Sequence, residues 1–478
     1  MKKIFHIYIL GLMMVFVACD GFLDQFPHDA ISDENVLETE QDAQVLLNGI
    51  YARFKSSSSY SRYLTNLPDI MTDAALASTG FTNQMGGMYA WNITPGGSEI
   101  TGIWNNHYFG IANANILLGG IDELEGNEDN LNRIKGEALI TRALFHYNLV
   151  RLFGHAYNSE TADSDLGVPY MSAHQIGQPK RNTVAEVYTN VIADLSDAIA
   201  IMSDAPKVDH MYFSSHFANG LLARVYMDMG NYDQAIEHAS EVIFESGCTL
   251  EEGEAFELMW LTDTGREIIW KVGFSADDYG ASVGYNYFNR NDIENGKPQP
   301  DYIPANWLLN LYNQSDDIRF NTYYIETETD WGWTGYLVNK YPTNPMFDQQ
   351  GVNMPKPMRL AEMYLIRAEA YANIAQYELA RADIDALLQK RIANHQPTNL
   401  TGQELIDFIY DERNRELAFE GFYWFDLKRH GKGFERVPQE HTYTANDLKI
   451  ESDDYRWQWP IPISEINGNG NIEQNTGY

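Results

Sequence analysis

Two segments of the chain match each other: LLARVYMDMGNYDQA at 221–235 and IRAEAYANIAQYELA at 366–380. The shared positions are Ala223 and Ala368, Tyr226 and Tyr371, Tyr232 and Tyr377, and Ala235 and Ala380. Small residues let two helices approach closely, tyrosines fill the space between layers, and Gly230 or Ala375 marks a tight turn. The match predicts two copies of one helical hairpin, with two unrelated hairpins as the alternative.

Helical spacing of apolar residues extends beyond this repeat. The segments concerned are 33–55, 131–153, 183–202 and 403–429. Thr183 and Glu186 have the spacing of a capping box, and Ser32 or Asp33 is expected to cap the first helix. A lone hairpin cannot bury its apolar face, so such units stack on each other. We therefore predict a mainly α fold of about four hairpins that resembles the tetratricopeptide superhelix, with long loops and minor β pieces.

The start of the chain is typical of a secreted lipoprotein. Two lysines precede an almost unbroken apolar run at 4–17, and Ala18 then precedes Cys19. The run is too short to span a bilayer core of about 30 Å. We expect 1–18 to be a lipoprotein signal peptide, Cys19 to be acylated, and 19–478 to form a single domain. An ordinary signal peptide followed by a chance cysteine is the alternative.

Composition excludes one class of ligand. The 478 residues include 67 Asp and Glu against 33 Lys and Arg, a formal net charge of -34. This charge repels phosphates, so we expect no nucleic acid partner. With Cys19 acylated, Cys248 has no partner for an internal disulfide, and stability must come from core packing.

Function is expected in two long loops at about 56–100 and 270–355, which are rich in Gly, Asn and aromatic residues. Loops of this length are uncommon unless they are functional or disordered, and their Trp and Tyr content argues against disorder. A pyranose has an apolar C–H face and a rim of hydroxyls, so it needs a flat ring beside planar polar groups. The candidate ligand-binding residues are Trp91, Asn92, Tyr285, Tyr287, Asn289, Arg290, Trp331, Trp333, Tyr60 and Asp73.

The candidates differ in strength. Trp331 and Trp333, in TDWGWTGY, are the strongest pair, because two indoles in a polar loop have no helical periodicity to explain them. The GYNYFNR stretch at 284–290 equally fits an edge strand with one buried face. Trp91 and Asn92 precede a Pro-Gly-Gly turn, and Tyr60, with Asp73 downstream, is a weaker candidate.

Catalytic signatures are absent from the sequence. It contains no HExxH, GxSxG or Walker A motif, and its 12 His residues have no ligand spacing. A glycosidase is the enzyme alternative, since it needs only two suitably spaced carboxylates in an aromatic cleft. A sequence does not show that spacing. A peptide-binding scaffold is the third possibility, since helical repeats bind peptides. We predict a protein that is not an enzyme and that uses no cofactor and no metal.

Several stretches, in order along the chain, resemble the SusD/RagB family of outer-membrane lipoproteins. They are FLDQFP at 22–27, GEALITRALFHYNLVRLFG at 136–154, LGVPY at 166–170, RLAEMYLIRAEAY at 359–371, ERNRELAFEGFYWFDLKR at 412–429 and WPIPISEINGNGNIEQNTGY at 459–478. The Glu and Arg residues of 412–429 are also spaced for pairs within a helix, which indicates an architectural role. The two prolines near the start of 459–478 favour an extended path that wraps back over the helices.

The resemblance implies a role in nutrient capture. Such proteins are anchored by lipid to the outer surface of the outer membrane, bind oligosaccharide or polysaccharide on loops of a helical-repeat platform, and cap a SusC-type TonB-dependent transporter. RagB-like branches of the family take peptides instead. The resemblance does not identify the ligand.

Overall fold

Helices dominate the computed structural model, which describes residues 37–203, 209–289, 296–347, 349–443 and 448–478. The helices are α1 (Glu40–Phe54), α2 (Tyr63–Ile70), α3 (Gly86–Tyr89), α4 (Ser98–Gly120), α5 (Glu128–Phe153), α6 (Val184–Ile201), α7 (Ser215–Asp228), α8 (Tyr232–Glu245), α9 (Gly253–Thr262), α10 (Tyr285–Phe288), α11 (Asn306–Leu309), α12 (Ile318–Tyr323), α13 (Leu360–Asn373), α14 (Tyr377–Leu388), α15 (Gly402–Glu416), α16 (Tyr423–Arg429) and α17 (Ile463–Gly468). The predicted mainly α fold is confirmed. Within the residues that the structure describes, no helix has the length and apolar character needed to cross a membrane.

Strands are short in the described ranges. They are β1 (Ala75–Ala77), β2 (Ile268–Trp270), β3 (Tyr302–Pro304), β4 (Tyr324–Glu328), β5 (Thr334–Val338), β6 (Met358–Arg359), β7 (Phe434–Glu435) and β8 (Lys449–Ile450). They form antiparallel pairs, β1 with β3, β2 with β6, β4 with β5, and β7 with β8. The β1–β3 pair joins the two long loops to each other, because β1 belongs to the first and β3 to the second.

The two matching segments fold as helical hairpins of the same design. A residue with positive φ ends the first helix of each: Gly230 at +69° between α7 and α8, and Ala375 at +60° between α13 and α14. In both copies the next amide donates to a carbonyl five residues back, with an N–O distance of 2.9 Å for Asn231 and 2.8 Å for Gln376. The repeat predicted from the sequence is therefore present, and Ala375 holds a conformation that favours glycine.

Stacking of the hairpins runs through α13. This helix packs against α7 and α8 of the first copy and against α14 and α15. Nearer the N-terminus, α4 packs on α5, α5 on α6, and α6 on α7, while α1 covers α4 and α5. Ala223 and Ala368 are fully buried. Their small side chains therefore permit close packing, as predicted.

Two helix boundaries differ from the sequence prediction. The first helix begins at Glu40, where Thr39 caps it, and the caps proposed at positions 32 and 33 lie outside the described residues. The single helix expected over 403–429 is two helices, because Phe419 and Gly421 have φ of +60° and +84° and turn the chain between α15 and α16. The predicted capping box of Thr183 and Glu186 on α6 is confirmed.

A cluster of buried ion pairs attaches the second long loop to the helical scaffold. Glu416 of α15 accepts hydrogen bonds from Arg319 at 3.0 Å, Arg359 at 2.9 Å and Arg391 at 3.0 Å. Burial alone would raise the pKa of Glu416, but these guanidinium groups hold it well below its ordinary value. The cluster consists of Glu267, Asp317, Glu412, Glu416 and Glu420 with Arg319, Lys340, Arg359, Arg391 and Arg415. Each acidic side chain of the cluster is paired with a basic one, because buried charges require partners.

The C-terminal tail wraps back over the helices as predicted, although Ile463–Gly468 within it is the short helix α17 and not extended. The Trp459 amide donates to the Leu152 carbonyl at 3.0 Å, and the Asn475 side chain donates to the Phe153 carbonyl at 2.7 Å. The tail therefore covers the C-terminal end of α5, where the carbonyls of a helix lack partners within the helix.

Candidate functional site

The exposed indole of Trp331 lies at the tip of the β4–β5 hairpin. The Gly332 amide donates to the Thr329 carbonyl at 3.0 Å, and the Thr329 amide donates to the Trp333 carbonyl at 2.8 Å. Gly332 has φ of +81°, so this tight hairpin loop needs a residue tolerant of the left-handed region. Trp331 is 39% exposed although it is a large apolar side chain. An exposed indole on a rigid turn is a ready stacking surface.

The hairpin tip is fixed in place by its neighbours. The Asp330 amide donates to the Pro298 carbonyl at 3.0 Å, and the Gln299 side chain donates to the Asp330 carboxylate at 2.5 Å. The Trp331 indole packs directly on Gly80, where a Cβ would overlap it. Glycine at position 80 is therefore required for the observed position of the ring.

Buried Asp301 joins the two long loops beneath this tip. One of its carboxylate oxygens accepts from the Thr82 amide and hydroxyl, both at 2.7 Å, and the other accepts from the Asn286 side chain at 3.3 Å. The four connected segments, 79–84, 285–289, 297–301 and 329–333, together with Arg62, which donates to Gln84 and Asn286, are called the loop cluster below. Two of the segments predicted to bind ligand, the Trp331 turn and the Tyr285 turn, belong to it.

A second half-exposed ring in the loop cluster is paired with an arginine. The Arg62 guanidinium carbon lies 5.9 Å from the centroid of the Tyr285 ring. Arg62 also donates to the side-chain oxygen of Asn286 at 3.1 Å and to that of Gln84. Amide oxygens thus orient the guanidinium beside the ring. A flat ring beside planar polar groups is the combination that a sugar requires.

Trp333 has a supporting position. It is half-buried, and its ring stacks on His441 with centroids 4.6 Å apart and planes 7° apart. It also packs against the apolar cluster formed by Leu76, Ile303, Ala305 and Leu337. One indole of the TDWGWTGY motif is thus exposed, and the other holds the hairpin against the fold.

Three predicted ligand contacts need correction because their side chains are buried. Trp91 is 1% exposed, and its indole N–H donates to the Met71 carbonyl at 2.6 Å. Tyr287 is fully buried, and Tyr60 is 8% exposed and bonded to Asn148. A ring covered on both faces cannot stack on a sugar, so these residues belong to the core.

The other predicted residues have mixed positions. Asn92 is exposed on the turn after α3, and Asn289 is half-exposed at the end of α10, so both stay predictions. Asp73 lies outside the loop cluster, in a separate cavity with Trp307, where burial raises the pKa of its carboxyl to about 6. Arg290 and Cys19 lie outside the described residues.

Several polar residues of the loop cluster were not found from the sequence. Arg62, Gln84, Gln299 and Asp330 come from separate segments and share no motif, so only the folded arrangement brings them together. Within the described part of the 284–290 stretch, Tyr285–Phe288 forms the single turn α10, not the edge strand considered as an alternative. In the described ranges, no group of three or more His, Cys, Asp or Glu side chains is arranged to hold a metal ion.

Fold and site together define a helical-repeat protein that presents a binding surface on inserted loops. Comparison with known proteins identifies its family. A family profile described as "Starch-binding associating with outer membrane" matches residues 21–227, and a profile of the SusD family matches residues 312–478. The chain belongs to the SusD/RagB family of carbohydrate-binding proteins.

Relatives match along most of the chain. SusD-like protein P2 of Formosa agariphila is 25% identical, with 100% of both chains covered. The starch-binding protein SusD of Bacteroides thetaiotaomicron is 24% identical over 89% of this chain and 87% of its own. A crystal structure of a SusD superfamily protein from Bacteroides thetaiotaomicron has a TM-score of 0.80 and 29% identity, covering 91% of this chain and 99% of that one.

Proposed function

We propose that this chain is a cell-surface glycan-binding lipoprotein that captures oligosaccharide or polysaccharide and delivers it, chemically unchanged, to a SusC-type TonB-dependent transporter. The observation that carries the proposal is the exposed Trp331 indole, fixed at a rigid hairpin tip in the loop cluster of a carbohydrate-binding family.

The loop cluster supplies both parts of a sugar site. Trp331 offers an apolar face for the C–H side of a pyranose, and Tyr285 offers a second ring. Arg62, Gln84 and Gln299 supply donors and acceptors for the hydroxyl rim. Because hydrogen bonds and packing already fix these groups, little side-chain ordering is needed when a sugar binds.

The proposed anchor supports delivery to a transporter. An acylated Cys19 would tether the protein to the outer membrane, and several acyl chains hold a protein far more firmly than one. Tethering beside a transporter makes transfer of the captured glycan an intramolecular step, which raises its effective concentration. We expect Cys19→Ser to move the protein out of the membrane fraction while purified protein keeps its glycan affinity.

The binding test compares variants of Trp331 with matched controls. We expect Trp331→Ala to weaken binding of the preferred oligosaccharide by about 10-fold, equivalent to about 1.4 kcal/mol, in isothermal titration calorimetry. Its melting temperature should change little, because the ring is already partly in solvent. Phe109, which is 54% exposed on α4, provides the control: Phe109→Ala should leave affinity unchanged.

A second variant moves the indole without deleting it. Gly80→Ala places a methyl group where the indole of Trp331 lies, so the ring must shift. We expect affinity to fall in this variant too, whereas Trp333→Ala should lower stability together with affinity because that ring is half-buried.

The ligand panel decides between cargo classes. Starch, fructan, pectin and mucin oligosaccharides are titrated beside neutral, acidic and basic oligopeptides, and each mixture is analysed for released products. Binding of glycan without product release is the expected result. Peptide binding that depends on Trp331 would assign the RagB-like role, and robust hydrolysis would contradict a binding protein.

A further inference from the structure

Two cavities outside the loop cluster share one wall. The first, of about 530 Å³, lies between the α7–α8 turn, the segment after α5 and the end of α16. The second, of about 490 Å³, lies among α11, α15 and α16. Tyr410, His430 and Lys432 line both. The cavities therefore adjoin, and together they are called the Tyr410 groove; each has the volume of a small-molecule site.

Half-buried aromatic side chains line both parts of the groove. Tyr157 and Tyr232 belong to the first cavity, Trp307 and Tyr423 to the second, and Tyr410 to both. The hydroxyls of Tyr157, Tyr232 and Tyr410 make no hydrogen bond to the part of the chain that the structure describes. Flat rings with unused hydroxyls match the C–H faces and hydroxyl rim of a saccharide.

Ion pairs beneath the shared wall hold it in position. The His430 ring lies against Tyr410 with centroids 4.1 Å apart, and its Nε2 is 3.1 Å from the Glu369 carboxylate. Arg429 donates to the same carboxylate at 2.6 Å. The Lys428 ammonium donates to two carbonyls near the end of α5, at 2.7 and 2.8 Å. A wall fixed in this way loses little conformational entropy when a ligand binds.

Charge in the groove is mixed. Exposed Lys432 has its ammonium 4.8 Å from the centroid of the Tyr410 ring, while Asp407 and Asp411 are exposed carboxylates in the second cavity. Carboxylates therefore outnumber ammonium groups among these exposed side chains, and the chain as a whole carries -34. A polyanion would be repelled by this surface. An uncharged polyhydroxylated chain would not be repelled by this surface.

We infer that the Tyr410 groove is a second saccharide-binding site, in which one glycan chain crosses the Tyr410 ring and extends into both cavities. The inference rests on the proposed function only in the class of cargo, because the groove shares no residue with the loop cluster. A polysaccharide long enough to engage both sites gains avidity, since the second contact is intramolecular.

The test uses the full mature chain in native affinity gels that contain soluble starch, inulin, pectin or mucin. We expect Tyr410→Ala to weaken retention by the bound polymer about 3–10-fold, as the loss of one stacked ring would. Tyr157→Ala, in the lining of the first cavity alone of the two, should act in the same direction and serves if Tyr410→Ala folds poorly. Phe109→Ala is the exposed aromatic control.

Each outcome separates the two proposals. Loss of retention in Trp331→Ala, with both tyrosine variants unchanged, would overturn the groove and leave the loop cluster as the glycan site. Weakened retention in the tyrosine variants with Trp331→Ala unchanged would support the groove and contradict the loop cluster. Retention of the wild-type chain by none of the polymers, or equal weakening in Phe109→Ala, would overturn the groove.

Discussion

Replacing Glu416 by Gln tests how the ligand-binding loops are held to the scaffold. The Glu416 carboxylate accepts hydrogen bonds from Arg319, Arg359 and Arg391, at distances of 2.9 to 3.0 Å. Arg319 belongs to the second long loop, whereas Glu416 and Arg391 belong to the helical scaffold. The pKa of Glu416 lies well below the ordinary value for a glutamate, so its carboxylate is ionised at neutral pH.

The magnitude follows from the pairing and burial of Glu416. Glu416→Gln removes the one negative charge that Arg319, Arg359 and Arg391 share, and each of these three guanidinium groups is at most 1% exposed. Breaking a buried ion pair by neutralising one partner costs about 3–5 kcal/mol. Gln has nearly the same shape and keeps one acceptor oxygen, so the loss reports charge and not a cavity. A loss of this size is a large part of a typical domain stability of about 5–15 kcal/mol.

Urea unfolding at pH 7, followed by tryptophan fluorescence, measures the free energy of unfolding. The control is Glu451→Gln, which removes one partner of the Lys449–Glu451 pair, 57% and 66% exposed. We expect that control to lie within about 0.5 kcal/mol of the wild type, since exposed pairs contribute little. A loss below about 1 kcal/mol for Glu416→Gln would refute the reasoning, because the cluster would then tolerate an unbalanced charge.

Three further outcomes are expected, each read in urea or thermal unfolding. Ala375→Gly should raise the free energy of unfolding by about 0.5–1 kcal/mol because φ is +60°, and Gly230→Ala should lower it similarly; a loss in the first variant would contradict the shared turn. Burial raises the pKa of Asp69 to about 8, so the unfolded chain releases a proton that the folded chain keeps, and stability falls as pH rises from about 4 to 8. Asp69→Asn should therefore be more stabilising at pH 8 than at pH 5, and equal effects at both would contradict this. Trp91→Ala should cost about 3–5 kcal/mol, and a cost below 1 kcal/mol would contradict its core position.

Periodic features of the fold were predictable from the sequence. Helices with a regular apolar stripe and a capping box, such as α6, were found within a residue or two because propensity, spacing and cap agree. The prediction of one helix over 403–429 was wrong because the helix is interrupted. Its break depends on Phe419 and Gly421 in the left-handed region, and no local pattern marks a phenylalanine that adopts positive φ.

The candidate site was predictable only in part. Trp331 and Trp91 both lie in Gly-rich polar loops, yet one is 39% exposed and the other 1%. The difference comes from Phe434 and Trp457, whose rings lie 5.6 and 5.0 Å from Trp91 although they are distant in sequence. The exposure of an aromatic side chain in a loop therefore depends on contacts with segments that are distant in sequence, and local sequence patterns do not show these contacts. For the Glu and Arg residues of 412–429, the sequence predicted pairs within one helix. In the structure most of their partners are distant in sequence.

The loop cluster gains rigidity because neither long loop is left without support. The first loop is attached through β1, which pairs with β3 of the second, and through Asp301. The second is attached to the scaffold through the ion cluster around Arg319. Because both loops are attached, the loop cluster holds the Trp331 indole in place before a ligand arrives. Binding then costs little conformational entropy, and the affinity depends on the contacts themselves. Variation among relatives can then change the residues of the hairpin tip and select another glycan while the attachments stay the same.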